Sequence, residues 1–248
     1  AGLAPALVGR LKLALMGVEP YVRVYGCGTL CLKREIGIYM NTYRVGVIAD
    51  THVPKSLPAL PGEIAQRFQG VDLILHAGDV TGKEVLDELR LIAPVVAVQG
   101  NHDRLDLPGS IVIEIGSKRI GLIHGSRPKW KELPSIVSNE VFDGKPFWWG
   151  GFQRQVLRTF PDVDAIIFGH FHRPYVARRQ NVLLFNPGAV YQLTAKQAKA
   201  ELARPQPLLR RAYLLNARRR LPIAPSVGLL TIEDGTIKAD ILPLTKYT

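Results

Sequence analysis

Five clusters of polar residues in this chain have the types and spacing of metal ligands. They offer carboxylate and amide oxygens and imidazole nitrogens but no thiolate, which favours Mn, Fe or Zn over Cu(I) or an iron–sulfur cluster. Asp-x-His spacing also lets two side chains on one turn reach the same ion. The clusters are Asp50-Thr51-His52, Gly78-Asp79, Gly100-Asn101-His102-Asp103, His124 and Gly169-His170-Phe171-His172.

Each cluster follows directly on a short apolar run that has the length of a strand. The first runs are continuously apolar, which is typical of strands buried on both faces. Because ligand sites of α/β sheets form at the carboxyl ends of strands, we predict that the five clusters share one site. Strands are predicted at 45–50, 72–79, 94–103, 111–115, 119–125, 164–170 and 182–188, with a closing hairpin at 227–242 around Asp234-Gly235.

Helical patterns lie between these strands, at about 61–69, 83–91 and 152–160. Alternation of strands and helices indicates a mainly parallel sheet, to which the hairpins at 111–123 and 227–242 add antiparallel strands. The predicted fold class is therefore α/β.

The ligand set has the capacity for two ions, with the two oxygens of Asp79 bridging them. In two-metal hydrolases the ions lie ~3.5–4 Å apart and stabilise the attacking and leaving oxygens of an in-line displacement. Two divalent ions, two aspartates and one bridging hydroxide carry a net charge of about +1, which suits an anionic phosphate ester.

In this order, D-x-H, G-D, G-N-H-D, H and G-H-x-H resemble the motifs of the calcineurin-like metallophosphoesterase superfamily. The short chain and the Asn-Pro-Gly at 186–188 are most similar to its small YfcE-like phosphodiesterase branch. The resemblance covers about residues 43–190 and 226–242. It implies a two-sheet β-sandwich flanked by helices, in four layers α/β/β/α.

The resemblance also implies a role for each residue of the clusters. His102 would bind the phosphate and protonate the leaving oxygen, and Asp103 would orient the His102 ring. The implied metal is Mn, with Fe, Zn or Ni as alternatives. One ion would take Asp50, His52, Asp79 and His172, and the other Asp79, Asn101, His124 and His170.

The predicted function is metal-dependent hydrolysis of phosphodiesters, with a bridging hydroxide as nucleophile and a small phosphodiester or nucleotide-like substrate. A phosphomonoesterase or a nuclease with the same centre is an alternative. Self-association into a homo-oligomer stays open as a partner. A protein-binding scaffold is the alternative from another class, because the retromer subunit of this superfamily uses the fold with a degraded site.

Charge and cysteine content limit the remaining classes. The net charge of +11 is concentrated in residues 1–43 and 191–225, and the second segment has eight Lys or Arg against one Glu. Basic segments of this kind are typical of a solvated face, while a nucleic-acid partner stays open.

Arg10 and Lys12 interrupt the one candidate apolar run near the start, which argues against a signal peptide or membrane span. Two cysteines make no disulfide framework, so we expect a cytoplasmic protein.

We expect two units, an extension at 1–42 and a metallophosphoesterase domain at 43–248. The extension is predicted to be loosely ordered or foreign to the natural protein. A basic insertion at about 191–225 contains two helix-like runs, 192–206 and 208–220, and we hypothesise that it forms a flap over the site.

Three further features are interpreted as structural. His76, inside an apolar strand, is expected to be buried rather than a ligand. The aromatic stretch at 147–152 is typical of a packing patch or a dimer contact rather than a base-stacking platform. Cys27-x-x-x-Cys31 has too few neighbouring ligands for a metal site.

Overall fold

The computed structural model describes residues 42–141, 149–207, 210–211, 213–215 and 223–245, and only the backbone of three strands before residue 42. One sheet contains the strands β4 Tyr43–Ile48, β5 Leu73–His76, β6 Val95–Ala97, β12 Ser226–Glu233 and β13 Thr236–Pro243. Its order is β13-β12-β4-β5-β6. Strands β4, β5 and β6 run parallel, and the closing hairpin of β12 and β13 pairs antiparallel with β4.

The second sheet contains the strands β1 Arg10–Lys12, β2 Tyr21–Tyr25, β3 Thr29–Lys33, β7 Ser110–Ile115, β8 Lys118–Ile123, β9 Ala165–Phe168, β10 Pro174–Arg179 and β11 Val182–Pro187. Its order is β1-β2-β3-β7-β8-β9-β11-β10. Strands β8, β9 and β11 run parallel, while β7 pairs antiparallel with β8 and β10 pairs antiparallel with β11.

The main core lies between the two sheets. Alternation along β4 directs Val45 and Val47 inward, where they pack with Leu75 of β5 against Leu122 and Ile167 of the other sheet. The same alternation directs Ile48 to the opposite face of the sheet. Both faces of the central strands are thus apolar, as the continuous apolar runs predict.

Helices cover the outer faces of the sandwich. Helices α1 Glu63–Arg67 and α2 Lys83–Arg90 pack on the first sheet, and α4 Phe152–Thr159 packs on the second. The described residues also include the helices α3 Lys129–Val141 and α5 Ala195–Leu202. The predicted four-layer α/β/β/α fold is confirmed. Within the described residues, no helix is long and apolar enough to cross a bilayer.

All the predicted strands and the three predicted helices are found, but the strands β1, β2, β3 and β10 and the helix α3 were missed. β10 is an edge strand, mostly exposed and rich in arginine, so it lacks an apolar run. Helix α3 contains Pro134 and exposes Trp130, Leu133 and Val137, so its pattern is not that of a packed amphipathic helix. β3, which precedes residue 42, pairs parallel with β7. The domain boundary proposed at residue 42 stays a prediction.

Candidate metal centre

The five clusters lie in loops that leave the carboxyl ends of the strands, and these loops have an uncommon backbone. Asp50, His52, Asp79, His170 and His172 all have φ between 51° and 68°, the left-handed region. Such a conformation costs roughly 1–3 kcal/mol for a residue other than glycine and persists only where the surroundings impose it. Here hydrogen bonds impose it: the His170 N–H donates to Asp50 Oδ2 at 2.9 Å, and the His52 N–H donates to the Asp79 carbonyl at 3.1 Å.

One group of side chains gathers around Asp50. His172 Nε2 lies 3.3 Å from Asp50 Oδ1, and the His52 and His172 rings are 5.4 Å apart. His52 Nε2 also lies 3.5 Å from Asp79 Oδ2, which connects this group to the next strand. Asp50, His52 and His172 each offer a ligand atom within 4.8 Å of the others.

A second group gathers around the Asn101 amide oxygen. His124 Nε2 lies 3.0 Å from Asn101 Oδ1, and His170 Nδ1 lies 3.1 Å from the same atom. His124 Nδ1 is 2.8 Å from the Ala77 carbonyl, which only accepts, so a neutral His124 ring carries its proton there and directs a lone pair from Nε2. Asp79 Oδ2 lies 3.5 Å from that Nε2. The second group therefore shares Asp79 with the first.

Two glycines permit this close approach. A Cβ at Gly100 would collide with the backbone nitrogen and Oδ1 of Asp79, so the loop that carries Asn101 can reach Asp79 only with glycine there. A Cβ at Gly169 would lie 2.9 Å from both Asp50 Oδ2 and the Ala77 carbonyl. The glycines of the third and fifth motifs thus have a packing role beside the site.

Charge in the site favours cations. Asp50 is fully buried and its Oδ1 has no hydrogen bond among the described residues. Burial alone would raise the pKa of Asp79, but hydrogen bonding and charge from His124 hold it below its ordinary value. Burial alone would lower the pKa of His124, but Asp79 raises it to about 9. These carboxylates favour protonation of the imidazoles beside them. The same set of oxygen and nitrogen atoms fits divalent metal ions in place of those protons.

Asp103 has hydrogen-bond partners other than the His102 ring that the resemblance implies. Its carboxylate accepts backbone N–H groups of Asp79, Gly100 and Thr81 at 2.7 to 3.0 Å. A carboxylate that accepts hydrogen bonds from three backbone N–H groups stabilises the loops that carry them. Lys55 Nζ lies 3.2 Å from His102 Nδ1 instead.

The surroundings of His102 favour its neutral form. Burial lowers the pKa of His102 and the Lys55 charge lowers it further, against the opposing charge of Asp79. Since an ammonium group only donates, the neutral ring accepts at Nδ1 and keeps its proton at Nε2, 4.0 Å from Asp79 Oδ2.

Sequence reasoning missed three residues at the site. Lys55 faces His102, Glu132 Oε1 lies 2.9 Å from His170 Nε2, and the Tyr191 ring meets His52 edge-on at 5.7 Å. Each reaches the site from a loop or helix whose course the sequence pattern does not give. Of the three, only Tyr191 could have been suspected from the sequence, because it lies three residues after Gly188 of the Asn-Pro-Gly turn.

The features interpreted as structural behave largely as expected. His76 is fully buried, with Nε2 3.2 Å from Thr51 Oγ1, and burial lowers its pKa to about 4. Trp149 packs against Phe152, Phe171 and Tyr175, which confirms a packing role for that tryptophan. Residues 142–148, which include its neighbour, lie outside the described residues, as does Cys27.

Comparison with known proteins places the chain among phosphoesterases. A family model for the calcineurin-like phosphoesterase superfamily domain matches residues 43–204. A probable metallophosphoesterase of Methanocaldococcus jannaschii is 38% identical over 151 residues, which are 60% of this chain and 69% of that protein.

Solved structures share the fold. Vacuolar protein sorting 29 from Cryptosporidium parvum matches with a TM-score of 0.54 and 20% identity, over 83% of this chain and 99% of that one. Wild-type Vps29 complexed with Zn²⁺ from Entamoeba histolytica matches with a TM-score of 0.51 and 25% identity, over 79% and 97%.

Proposed function

We propose, given that this chain belongs to the calcineurin-like phosphoesterase superfamily, that it hydrolyses phosphodiesters at a centre of two divalent metal ions. The observation that carries the proposal is the gathering of the seven candidate ligands around two buried aspartates, one with an oxygen that lacks a hydrogen bond. The His172 ring approaches that oxygen at 3.3 Å, and a buried carboxylate is costly unless a cation neutralises it.

The two groups of side chains correspond to two ion positions that share Asp79. We propose Mn as the metal, with Fe, Zn or Ni as alternatives, because the donors are oxygen and imidazole nitrogen. When bound, such ions would supply a water-derived nucleophile at neutral pH and stabilise charge on the phosphoryl oxygens. The first position would be formed by Asp50, His52, Asp79 and His172, and the second by Asp79, Asn101, His124 and His170.

His102 is proposed to donate the proton that the leaving oxygen requires. Its Nε2–H lies near Asp79 at the centre, and Lys55 holds the opposite nitrogen, so the ring presents a proton and not a lone pair to the substrate. Proton donation matters most for alkoxide leaving groups, which are poor without it. This favours natural diesters, in which the leaving group is a sugar or alkyl oxygen.

A panel of substrates tests the proposal. The metal-free chain, reloaded with Mn²⁺, should hydrolyse bis-p-nitrophenyl phosphate faster than p-nitrophenyl phosphate, with cyclic nucleotides and single-stranded DNA completing the comparison. Asp79→Asn should lose metal and activity together, since Asp79 belongs to both groups. Asp87→Asn, an exposed acid on α2, is the matched control and should keep both. Hydrolysis that is equally fast in the metal-free chain would contradict the proposal.

A protein-binding scaffold is the second candidate, because Vps29 structures share this fold. The scaffold and the enzyme differ in turnover, whereas bound metal alone does not separate them, since a Vps29 structure is itself complexed with Zn²⁺. A folded chain that takes up no Mn, Fe, Zn or Ni and hydrolyses none of the four substrates would favour the scaffold. About two ions per chain with turnover would favour the enzyme.

A further inference from the structure

Glu132 reaches the candidate metal centre from outside the five motifs. It lies in the first turn of α3, and its Oε1 is 2.9 Å from His170 Nε2. Both side chains are largely buried, with 13% of Glu132 and 19% of His170 exposed. In this partly desolvated setting a hydrogen bond to a charged group contributes more than it would in water.

The carboxylate is held from a second direction. The Arg127 backbone N–H donates to the same Oε1 at 2.6 Å, and the Arg127 side chain donates to the Gly150 carbonyl at 2.8 Å. Arg127 belongs to the short loop that begins just after His124 and leads into α3. The loop that follows one candidate ligand therefore fixes the acid that contacts another.

This contact decides which nitrogen of His170 carries the proton. A carboxylate only accepts, so the neutral ring places its proton at Nε2 and leaves a lone pair at Nδ1. Nδ1 lies 3.1 Å from Asn101 Oδ1, which is also an acceptor. Two acceptors this close repel each other unless a proton or a metal ion lies between them, and a neutral His124 ring would direct a third lone pair from Nε2 to the same place.

We infer that Glu132 is a positioning residue that holds His170 in the Nε2–H tautomer and directs Nδ1 to the second metal position, an inference that rests on the proposed metal centre. Carboxylates behind ligating histidines fix the ring and raise its basicity, and their loss commonly weakens metal binding or activity 10–100-fold. Glu132 should thus act on one position and leave the Asp50 position unchanged.

Calorimetric titration of the metal-free full chain with Mn²⁺ tests the inference through affinity and stoichiometry. The wild type should take up two ions. Glu132→Ala should bind one ion with wild-type affinity and the other roughly 10–100-fold more weakly. Glu132→Gln, whose amide oxygen still accepts from both donors, should lie between the two. Glu84→Ala, which removes an exposed acid from the first turn of α2, is the matched control and should titrate like the wild type.

Nitrogen NMR of the histidine rings gives a readout that a merely structural role would not change. In the diamagnetic Zn²⁺-loaded wild type, His170 should show a protonated Nε2 and an unprotonated Nδ1. In Glu132→Ala the Nε2 proton should exchange with water much faster. A proton on Nδ1 in the wild type would overturn the inference.

The failures of the two proposals are distinguishable. A wild-type chain that binds no metal would overturn the metal centre, and the inference with it. Two wild-type ions together with an unchanged titration of Glu132→Ala would overturn the inference alone. Equal weakening of both ions, accompanied by a lower melting temperature of the metal-free variant, would also overturn it, because it would show a general loss of structure.

Discussion

At the residue scale, the role proposed for His102 in protonating the leaving group depends on its contact with Lys55. The ammonium group of Lys55 contacts Nδ1, so the neutral ring offers Nε2–H to a substrate. Asp103 is instead bound to three backbone N–H groups and holds together the loops of Asp79 and Asn101. Loss of Lys55 and loss of Asp103 should therefore have different consequences.

His102→Ala should keep both metal ions and lose turnover by ~10²–10⁴-fold, the usual contribution of positioned acid–base catalysis. Lys55→Met should keep both ions and lose roughly 10-fold, at the low end for residues that orient a functional histidine. Both losses should shrink for p-nitrophenolate, which leaves without protonation. The measurement is kcat on an alkyl diester and on bis-p-nitrophenyl phosphate, together with metal content.

Asp103→Asn is the contrasting variant for this prediction. Because it weakens the support of the Asp79 loop, it should reduce metal content and affect both substrates alike. If Lys55→Met strips metal as Asp103→Asn does, or if its loss is equal for both leaving groups, the assignment of Lys55 to His102 is wrong.

The motifs predicted much of the site because Asp-x-His, Gly-Asn-His-Asp and Gly-His-x-His are short and each follows a recognisable strand. They could not give the orientation of Asp103, since that depends on which backbone N–H groups two loops present to it. Glu132 and Lys55 were missed for a related reason. Each reaches a histidine through tertiary packing, and neither lies in a motif.

At the element scale, the insertion begins beside the metal centre. Tyr191 contacts the His52 ring, and the Gln192 side chain donates to the His172 carbonyl at 2.9 Å. Helix α5 then starts with a capping box between Thr194 and Gln197, which explains why the helix predicted from 192 begins at Ala195. Residues 210–211 and 213–215 are also helical, and 216–222 lie outside the described residues.

Packing of the insertion is compatible with both a flap and a passive surface pair. Ala198 and Leu214 are fully buried, so both helical runs of the insertion have a packed face. Arg210 forms a bidentate ion pair with Glu201, and Arg211 is exposed. Exposed charge of this sign beside an anionic substrate's path accelerates encounter in a salt-dependent way.

Neutralising the insertion tests the flap hypothesis. A variant that changes the arginines of the second helix-like run to Gln should lower kcat/KM for an oligonucleotide and leave a small diester nearly unchanged, because the metal ligands are untouched. The difference should disappear at high ionic strength, where charges are screened beyond a few Å. The changed residues are Arg210, Arg211, Arg218, Arg219 and Arg220.

A control variant that neutralises three arginines elsewhere on the molecule tests whether the position of the removed charges matters. Arg154, Arg158 and Arg179 line a different cavity of about 630 Å³ beside α4, and their neutralisation should leave the oligonucleotide rate much closer to that of the wild type. Equal kcat/KM and equal salt dependence for both substrates in the five-residue variant would contradict the flap. A change in mass or stability alone would favour a passive surface pair.

At the scale of the whole molecule, the sandwich brings distant motifs to one edge. Asp50 and His170 are 120 positions apart, and the parallel strands of both sheets end where they meet. The unfavourable free energy of this arrangement is concentrated at that edge, in five residues with left-handed backbone and two buried aspartates. The large apolar core between and outside the sheets holds this arrangement in place.

Because the left-handed residues and buried aspartates destabilise the metal-free fold, we predict that metal binding raises the stability of the whole molecule. An ion that binds only the folded chain stabilises it by about 2.7 kcal/mol per site at 100 times its Kd. For a chain of this size each kcal/mol raises Tm by roughly 2–4 °C, so a saturated pair of sites should raise Tm by about 10–20 °C. The rise should grow with the logarithm of Mn²⁺ concentration and reverse on chelation.

Scanning calorimetry of the metal-free and Mn²⁺-loaded chain measures this effect. Asp79→Asn, which removes the carboxylate common to both groups, should fold and show little rise in Tm, while Asp87→Asn should respond like the wild type. A second comparison uses Mg²⁺, which prefers oxygen ligands and should stabilise less than Mn²⁺ at a site with four imidazoles. A wild-type Tm that is indifferent to Mn²⁺, Fe²⁺, Zn²⁺ and Ni²⁺ would show that the aspartates are neutralised by protons on their histidines rather than by metal.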